Sequence, residues 1–422
     1  MESFYLLKFL KDNSYLNQER YDNLRFELDK HLHYYGEHFK YPHEAKENRN
    51  LFRQYAKYLF LIYTIIQNRF QKNLKNLILS NAYFSINEEL KKIGYDVFYP
   101  FWQLSKNKKI LGNVDVFARG ERIKSKFKKD TFEELIKPDF LKEIDEFEGK
   151  LTSLFQTVRL KSLFTASDLG FFENLSIQIC KKLGIPSFVF LHGLPARYNG
   201  IDDHRSDYLI VWGEKIKQAY INAGKDPNKI LVSGHPSYRQ IAHRQLTFSL
   251  ENVVVTTKTL RGAHHSDGVV LGDRANSILY LYAVEKILRK HGVTSAKFRP
   301  HPSENEQWYL KFINTKFYKF DNANLKQSIQ NASLVIGPTS TVFLESLYYG
   351  VNYLVFEPGL NNNDILNCKL VPPFDGSDKK IPVAKDEAEL EYMLKNKIMV
   401  DSTCFNDYIS TPFDISFVKK LI

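Results

Sequence analysis

The sequence predicts an α/β protein built from two doubly wound, parallel sheets, and three observations predict it. Short apolar runs recur along the chain, each followed by a segment with helical spacing, so strands alternate with helices. Glycines close several of those helices, at Gly94, Gly184, Gly224 and Gly350. A polar stretch at 237–251 divides the alternation into two halves.

Taken in order, the first 72 residues read mainly as helix, with Leu59, Ile62, Ile65, Ile66 and Phe70 at helical spacings, and 1–75 form a helical N-terminal segment. The first Rossmann-like unit is expected over 76–240. It opens with a strand at Leu77–Leu79, a helix at Ile86–Ile93 and a strand at Asp96–Tyr99. Residues 105–150 are polar and charged, with a helical pattern around Phe132–Phe147. Then come strands at Lys161–Thr165, Ile185–Leu191, Tyr208–Trp212 and Lys229–Val232, with helices at Phe171–Leu183 and Glu214–Ala223. The second unit is expected over 250–422, with its C-terminal tail crossing back to the first. Its strands are Val253–Thr256, Ser295–Phe298, Leu334–Ile336 and Tyr353–Phe356, and its helices are Ile278–His291 and Thr341–Gly350.

Composition narrows the class. A chain of 422 residues is long enough for two or three domains with full cores, and 43% hydrophobic with 25% charged residues is ordinary for a globular protein. Met1-Glu2-Ser3 lacks a basic start before an apolar core, and the longest apolar run, Tyr58–Ile66, is far short of the roughly 20 residues that span a bilayer. Cys180, Cys368 and Cys404 are few and widely spaced, which suits a reducing cytoplasm and offers no zinc spacing. The net charge of +11 suits an acidic substrate or an anionic membrane surface. Its sharpest basic run is Arg119–Lys129, read first as a solvated surface and second as a contact for anionic lipid or glycan; no nucleic-acid motif is present.

The candidate chemistry sits after the strands. Arg299-Pro300-His301-Pro302 closes one: proline stiffens the loop, and Arg299 and His301, two apart in extended chain, share a face suited to phosphate. Thr339, Ser340 and Thr341 follow Gly337-Pro338 and open a helix, where hydroxyls and unsatisfied N–H groups attract an anion. Glu345, one turn further, suits ribose hydroxyls, or the dipole of its own helix. Asp168 and Glu173 bracket the loop after a first-unit strand, where an acid takes a proton from an attacking hydroxyl or merely caps the helix. His192-Gly193 ends the next strand. Lys258 and Arg261 are further phosphate contacts. His264-His265-Ser266-Asp267 has no third or fourth ligand in register, so no metal site is expected.

These residues resemble a family. The strand and turn at His192-Gly193, the runs Asp207–Glu214 and Lys229–Pro236, and the later Arg-Pro-His-Pro and Pro-Thr-Ser-Thr pair are together similar to bacterial surface-carbohydrate transferases of the GT-B fold. Capsule Kdo transferases, GT-B sialyltransferases and teichoic-acid glycerophosphotransferases share parts of this layout, over about half of the chain. The resemblance implies two Rossmann-like domains facing a central cleft. It places a donor's CMP phosphate on His301, Pro302, Ser340 and Thr341. It places the catalytic base in an acidic-acidic-Gly motif, whose nearest match, Asp168-Leu169-Gly170, has leucine as its second residue.

The expected function is metal-independent glycosyl transfer, without a cofactor, from a CMP-Kdo or CMP-sialic acid type of donor to a capsule or lipopolysaccharide acceptor. A nucleotide sugar and a glycan or glycolipid are its partners, in the cytoplasm at the inner face of the membrane. CDP-glycerol type transfer, sugar-nucleotide 2-epimerisation and glycan binding without turnover are the alternatives.

Overall fold

The computed structural model describes residues 16–33, 59, 62–63, 66, 76–82, 86–103, 109–130, 132–195, 205–238, 245–258, 274–302, 306–360, 363–364 and 371–422. Arg261, the segment His264–Asp267, Ile65 and Phe70 lie outside them.

A helix, α1 (Gln18–His33), precedes the first sheet. The sheet contains β1 (Leu77–Ser80), β2 (Asp96–Pro100), β3 (Ile110–Leu111), β4 (Ser162–Thr165), β5 (Ser187–Phe190), β6 (Tyr208–Val211) and β7 (Ile230–Val232). All are parallel, in the order β3-β2-β1-β4-β5-β6-β7. The crossing helices are α2 (Ile86–Lys92), α3 (Val114–Lys129), α4 (Pro138–Thr157), α5 (Phe171–Lys182) and α6 (Glu214–Asn222). β1, β4 and β5 are buried at every position, the near-continuous apolar reading of strands covered on both faces.

The second sheet contains β8 (Val253–Thr256), β9 (Ala296–Arg299), β10 (Tyr318–Phe320), β11 (Leu334–Gly337), β12 (Tyr353–Phe356) and β13 (Val383–Ala384). These too are parallel, in the order β10-β9-β8-β11-β12-β13. Its helices are α7 (Arg274–Lys290), α8 (Leu325–Gln330), α9 (Val342–Tyr349) and α10 (Glu387–Lys395). The protein is therefore a pair of Rossmann-like, parallel-sheet units, the architecture the sequence predicts.

Three placements refine the sequence reading. The N-terminal segment is not separate where it is described. In α1, Leu24 and Leu28 are fully buried in the first unit's core, and Asn23 Nδ2 donates to Asn174 Oδ1 on α5 at 3.0 Å. Arg20 binds Asp145 and Glu148 of α4, so α1 is a further layer of that unit. The basic run Arg119–Lys129 lies on α3, where much of its charge is locally compensated. Arg119 meets Asp115 and Glu146 at 2.8 and 2.9 Å, and Arg122 and Lys126 meet Glu143 at 2.7 and 3.0 Å. The polar link ends earlier than expected: Thr247 already exchanges backbone hydrogen bonds with Gly350 and Asn352 of the second unit.

The chain's end returns to the first unit. A short helix, α11 (Cys404–Tyr408), packs on α6, and Phe413 meets Phe190. Ser410 N–H donates to Trp212 O at 2.7 Å, and Asp414 N–H to Ser233 O at 2.8 Å. Both approaches need glycine opposite. A Cβ on Gly213 would lie 2.4 Å from Tyr408 O, and one on Gly234, whose φ is +77°, would lie 2.2 Å from Ser410 O.

His235, beside that contact, is 2% exposed between Trp212 and Tyr238, with ring centroids at 4.7 and 4.3 Å. Its Nδ1 accepts from Ser237 N–H at 3.1 Å, and burial pushes its pKa down from 6.5 to about 3. Between those values the unfolded chain binds a proton that the folded chain refuses. This stability is therefore complete above about 6.5 and is lost as pH falls toward 3. Unfolding free energies measured from pH 7 to 4 should fall more steeply in the native protein than in His235→Gln, by on the order of 1 kcal/mol per pH unit. Equal slopes would reject this account of His235.

Candidate functional site

In a doubly wound parallel sheet the crossovers leave the central pair of strands in opposite directions, which opens a crevice at their carboxyl ends. In the first sheet that pair is β1 and β4; in the second it is β8 and β11. A cluster of polar side chains bridges each crevice.

At the second crevice, Lys258 follows β8, Thr339 follows β11 and Glu357 follows β12. Lys258 Nζ donates to Glu357 Oε1 at 2.7 Å and to Thr339 Oγ1 at 3.2 Å, and Thr339 N–H donates to the same carboxylate oxygen at 2.6 Å. The Lys258 and Glu357 side chains are only 13% and 4% exposed. Ser340 Oγ accepts from Val342 N–H, at the first residue of α9, at 3.3 Å. The backbone N–H groups of Ser340 and Thr341 have no hydrogen bond among the described residues, which leaves two donors at a helix N-terminus.

The two units touch at this point. Leu194 N–H, just beyond β5, donates to Thr341 Oγ1 at 3.0 Å, and a Cβ on Gly193 would stand 3.1 Å from that oxygen. His192 precedes that turn. Its ring is exposed, and Nδ1 lies 2.9 Å from Ala166 O in the loop after β4. A carbonyl at that distance holds the proton on Nδ1 and makes Nε2 the basic nitrogen.

The other expected residues are placed less directly. His301 is half-buried after β9, with its N–H on Thr257 Oγ1 at 3.3 Å, and Pro302 beside it is exposed. It stands two strand spacings, roughly 10 Å, from the end of β11. Arg299 is turned to structural work: Nη1 donates to Ala323 O at 2.6 Å and Ser328 Oγ at 3.0 Å, and so holds the loop into α8. Glu345 is paired with Tyr238, in the segment after β7. Burial raises its pKa, opposed by a hydrogen bond from the Tyr238 hydroxyl and by the charge of Arg299.

At the first crevice, Asn81 follows β1, Trp102 follows β2, and Glu173 lies in the first turn of α5 after β4. Glu173 Oε1 accepts from Asn81 Nδ2 at 2.9 Å and from Trp102 Nε1 at 2.8 Å. Burial nevertheless pushes this carboxyl above its ordinary range, helped by the nearby charge of Glu27 on α1. Asp168 is 2% exposed, and its carboxylate accepts from the backbone N–H groups of Arg205 and Ser206, the latter at 3.2 Å. It therefore pins the segment that leads into β6. Sequence reasoning missed Asn81, Trp102 and Glu357. A polar residue directly after an apolar strand is the signal that finds Glu357; Asn81 stands behind Ser80 and Trp102 lies within a short helical turn, so neither has such a mark.

No family model matches this sequence, and no curated protein matches it. Solved structures do resemble it. UDP-GlcNAc 2-epimerase from Neisseria meningitidis, bound to UDP-GlcNAc, is 10% identical over 82% of this chain and 98% of its own, with a TM-score of 0.45. The Methanocaldococcus jannaschii UDP-GlcNAc 2-epimerase, in complex with UDP-GlcNAc and UDP, is 13% identical over 82% and 98%, with a TM-score of 0.47. The wall teichoic acid polymerase TagF is 12% identical over 87% and 95%, with a TM-score of 0.38. A likeness of this degree says nothing about what this chain binds.

The close packing under the second crevice is testable. A Cβ on Gly337 would lie 2.1 Å from the Tyr353 hydroxyl and 2.2 Å from Thr256 Oγ1, and Tyr353 itself donates to Pro338 O at 2.6 Å. Gly337→Ala should lower stability by about 1–3 kcal/mol, read as a lower denaturant midpoint at unchanged m. An unshifted midpoint would contradict this packing.

Proposed function

We propose that this chain is a glycosyltransferase that binds a nucleotide-activated sugar at the second crevice and presents an acceptor hydroxyl from the first. The observation that carries the reading is the pair of unengaged N–H groups at Ser340 and Thr341. They open a helix at the point where the strand order reverses, and the His192–Leu194 turn of the other unit lies against them. Leaving-group charge that develops on a phosphate there meets two fixed donors and the positive end of α9. Thr339 is engaged by Glu357 and orders the loop. His301 and Pro302, two strands away, bound the far side of the donor. Lys258 approaches the phosphate through Thr339.

His192 is the proton acceptor of this scheme. It is exposed, its ring is oriented by Ala166, and its turn touches the proposed phosphate site. Asp168 has a positioning role in this scheme, because two backbone donors hold its Oδ2 and it is 2% exposed. Glu173, whose pKa burial raises against the hydrogen bonds from Asn81 and Trp102, lines the acceptor wall and is the second acid to test. Donors of the CMP-Kdo or CMP-sialic acid type, with a capsule or lipopolysaccharide acceptor, agree with a site that offers amides and hydroxyls rather than dense positive charge. The same chemistry needs no divalent metal.

Incubation with CMP-Kdo, CMP-sialic acid, CDP-glycerol and UDP-GlcNAc, each with a mixed glycan acceptor, separates the readings. Transfer releases CMP or the nucleoside diphosphate, glycerol-phosphate transfer adds phosphate to the product, and epimerisation converts UDP-GlcNAc with no nucleotide released. We expect nucleotide release from a CMP-sugar. Conversion of UDP-GlcNAc alone would replace transfer by epimerisation.

In that assay His192→Ala should lower turnover by about 10²–10⁴ while nucleotide binding persists. Full activity in a folded His192→Ala would remove the histidine from the mechanism. Turnover should also survive EDTA undiminished; loss that Mg²⁺ or Mn²⁺ restores would establish a metal requirement.

A further inference from the structure

We propose that Glu357 determines how many phosphate groups the second crevice accepts, favouring a nucleoside monophosphate over a diphosphate; this rests on the nucleotide-sugar reading of that crevice. Among the described residues, the ends of β8, β9, β11 and β12 carry the cationic or basic side chains Lys258, Arg299 and His301. Arg299 is directed at Ala323 and Ser328. Lys258 is the cation nearest the start of α9, since its Nζ touches Thr339, and its charge is matched at 2.7 Å by the buried carboxylate of Glu357.

The charge left for a ligand at this helix start is therefore mostly that of two amides and a helix terminus, equivalent to about half an elementary charge. One phosphate is met by that supply. A second phosphate adds negative charge beside Glu357, in a site where little water screens it, and opposes binding. Without Glu357 the Lys258 ammonium would be uncompensated, and the crevice would suit a diphosphate.

Glu357 also holds a backbone position, because it accepts from Thr339 N–H at 2.6 Å. Glu357→Gln keeps an acceptor of the same shape and removes only the charge. Calorimetric titration with CMP and CDP reads the effect as a ratio of dissociation constants. The native protein should bind CMP at least as tightly as CDP, and Glu357→Gln should shift the ratio toward CDP on the order of tenfold. Adding Lys258→Met to Glu357→Gln removes both charges and should return the ratio to its native value, a readout that a purely structural role for Glu357 would not produce.

A native preference for CDP greater than tenfold overturns the proposal whether or not the variants fold. So does an unchanged ratio in a Glu357→Gln protein with a native melting transition. A protein that binds neither CMP nor CDP, while its melting and pH behaviour remain as described, would fail the nucleotide reading itself rather than the role of Glu357.

Discussion

The relation of the two sheets depends on a backbone contact at the end of the chain. Residues 410–414 lie against the ends of β6 and β7, with hydrogen bonds to Trp212 O and Ser233 O. Two glycines, Gly213 and Gly234, make that approach possible, since a Cβ on either would meet the tail's backbone. An ionic cluster reinforces it: Lys215 of α6 reaches Asp378 at 2.6 Å and Asp407 at 3.2 Å, so one first-unit lysine touches both the second unit and the returning tail. Apolar contact completes the joint. One continuous buried cluster takes in Phe190 and Trp212 from the first unit, Phe343 and Tyr353 from the second, and Phe405 and Ile415 from the tail. With the units held so, the turn after β5 meets the start of α9.

That meeting gives the site its character. The groups gathered at the second crevice are mostly dipoles: two backbone donors, a serine hydroxyl, a bridging threonine and an ion pair that is neutral as a whole. Such groups stabilise charge without reorganising as it develops. The first crevice is different. There a buried carboxyl is held between an amide and an indole, and burial outweighs both hydrogen bonds in setting its protonation. The two crevices thus differ in kind: backbone donors and a neutral ion pair at one, a buried carboxyl with a raised pKa at the other.

Several residues have partners that their types alone did not show. Arg299 and His301 share a face in extended chain, yet Arg299 is drawn to the carbonyls of the next loop, where a long side chain finds fixed acceptors. Asp168 follows a strand as a catalytic acid would, and its Oδ2 accepts from the backbone of the segment leading into β6. Glu345 stands one helical turn into α9 and pairs with Tyr238, in the segment after β7. In each case a competing local partner, far away or unmarked in sequence, decided the orientation.

The sequence by itself determined the elements and their alternation. β8 and β12 have the expected residues, and most other ends fall within a residue or two, because apolar runs, helical spacing and terminal glycines act locally. It also determined that Ser340 and Thr341 open a helix after a strand, for the same local reason. Short strands such as β3, β10 and β13 were not legible, being only two or three residues long and defined by their neighbours in the sheet. The tertiary structure alone decided the strand order, and with it where the crevices lie. It also decided that α1 covers the first unit, that Glu357 neutralises Lys258, and that Leu194 meets Thr341. Each of these joins residues distant in sequence, and such contacts are fixed by packing and charge pairing between elements rather than by the preferences of any one segment.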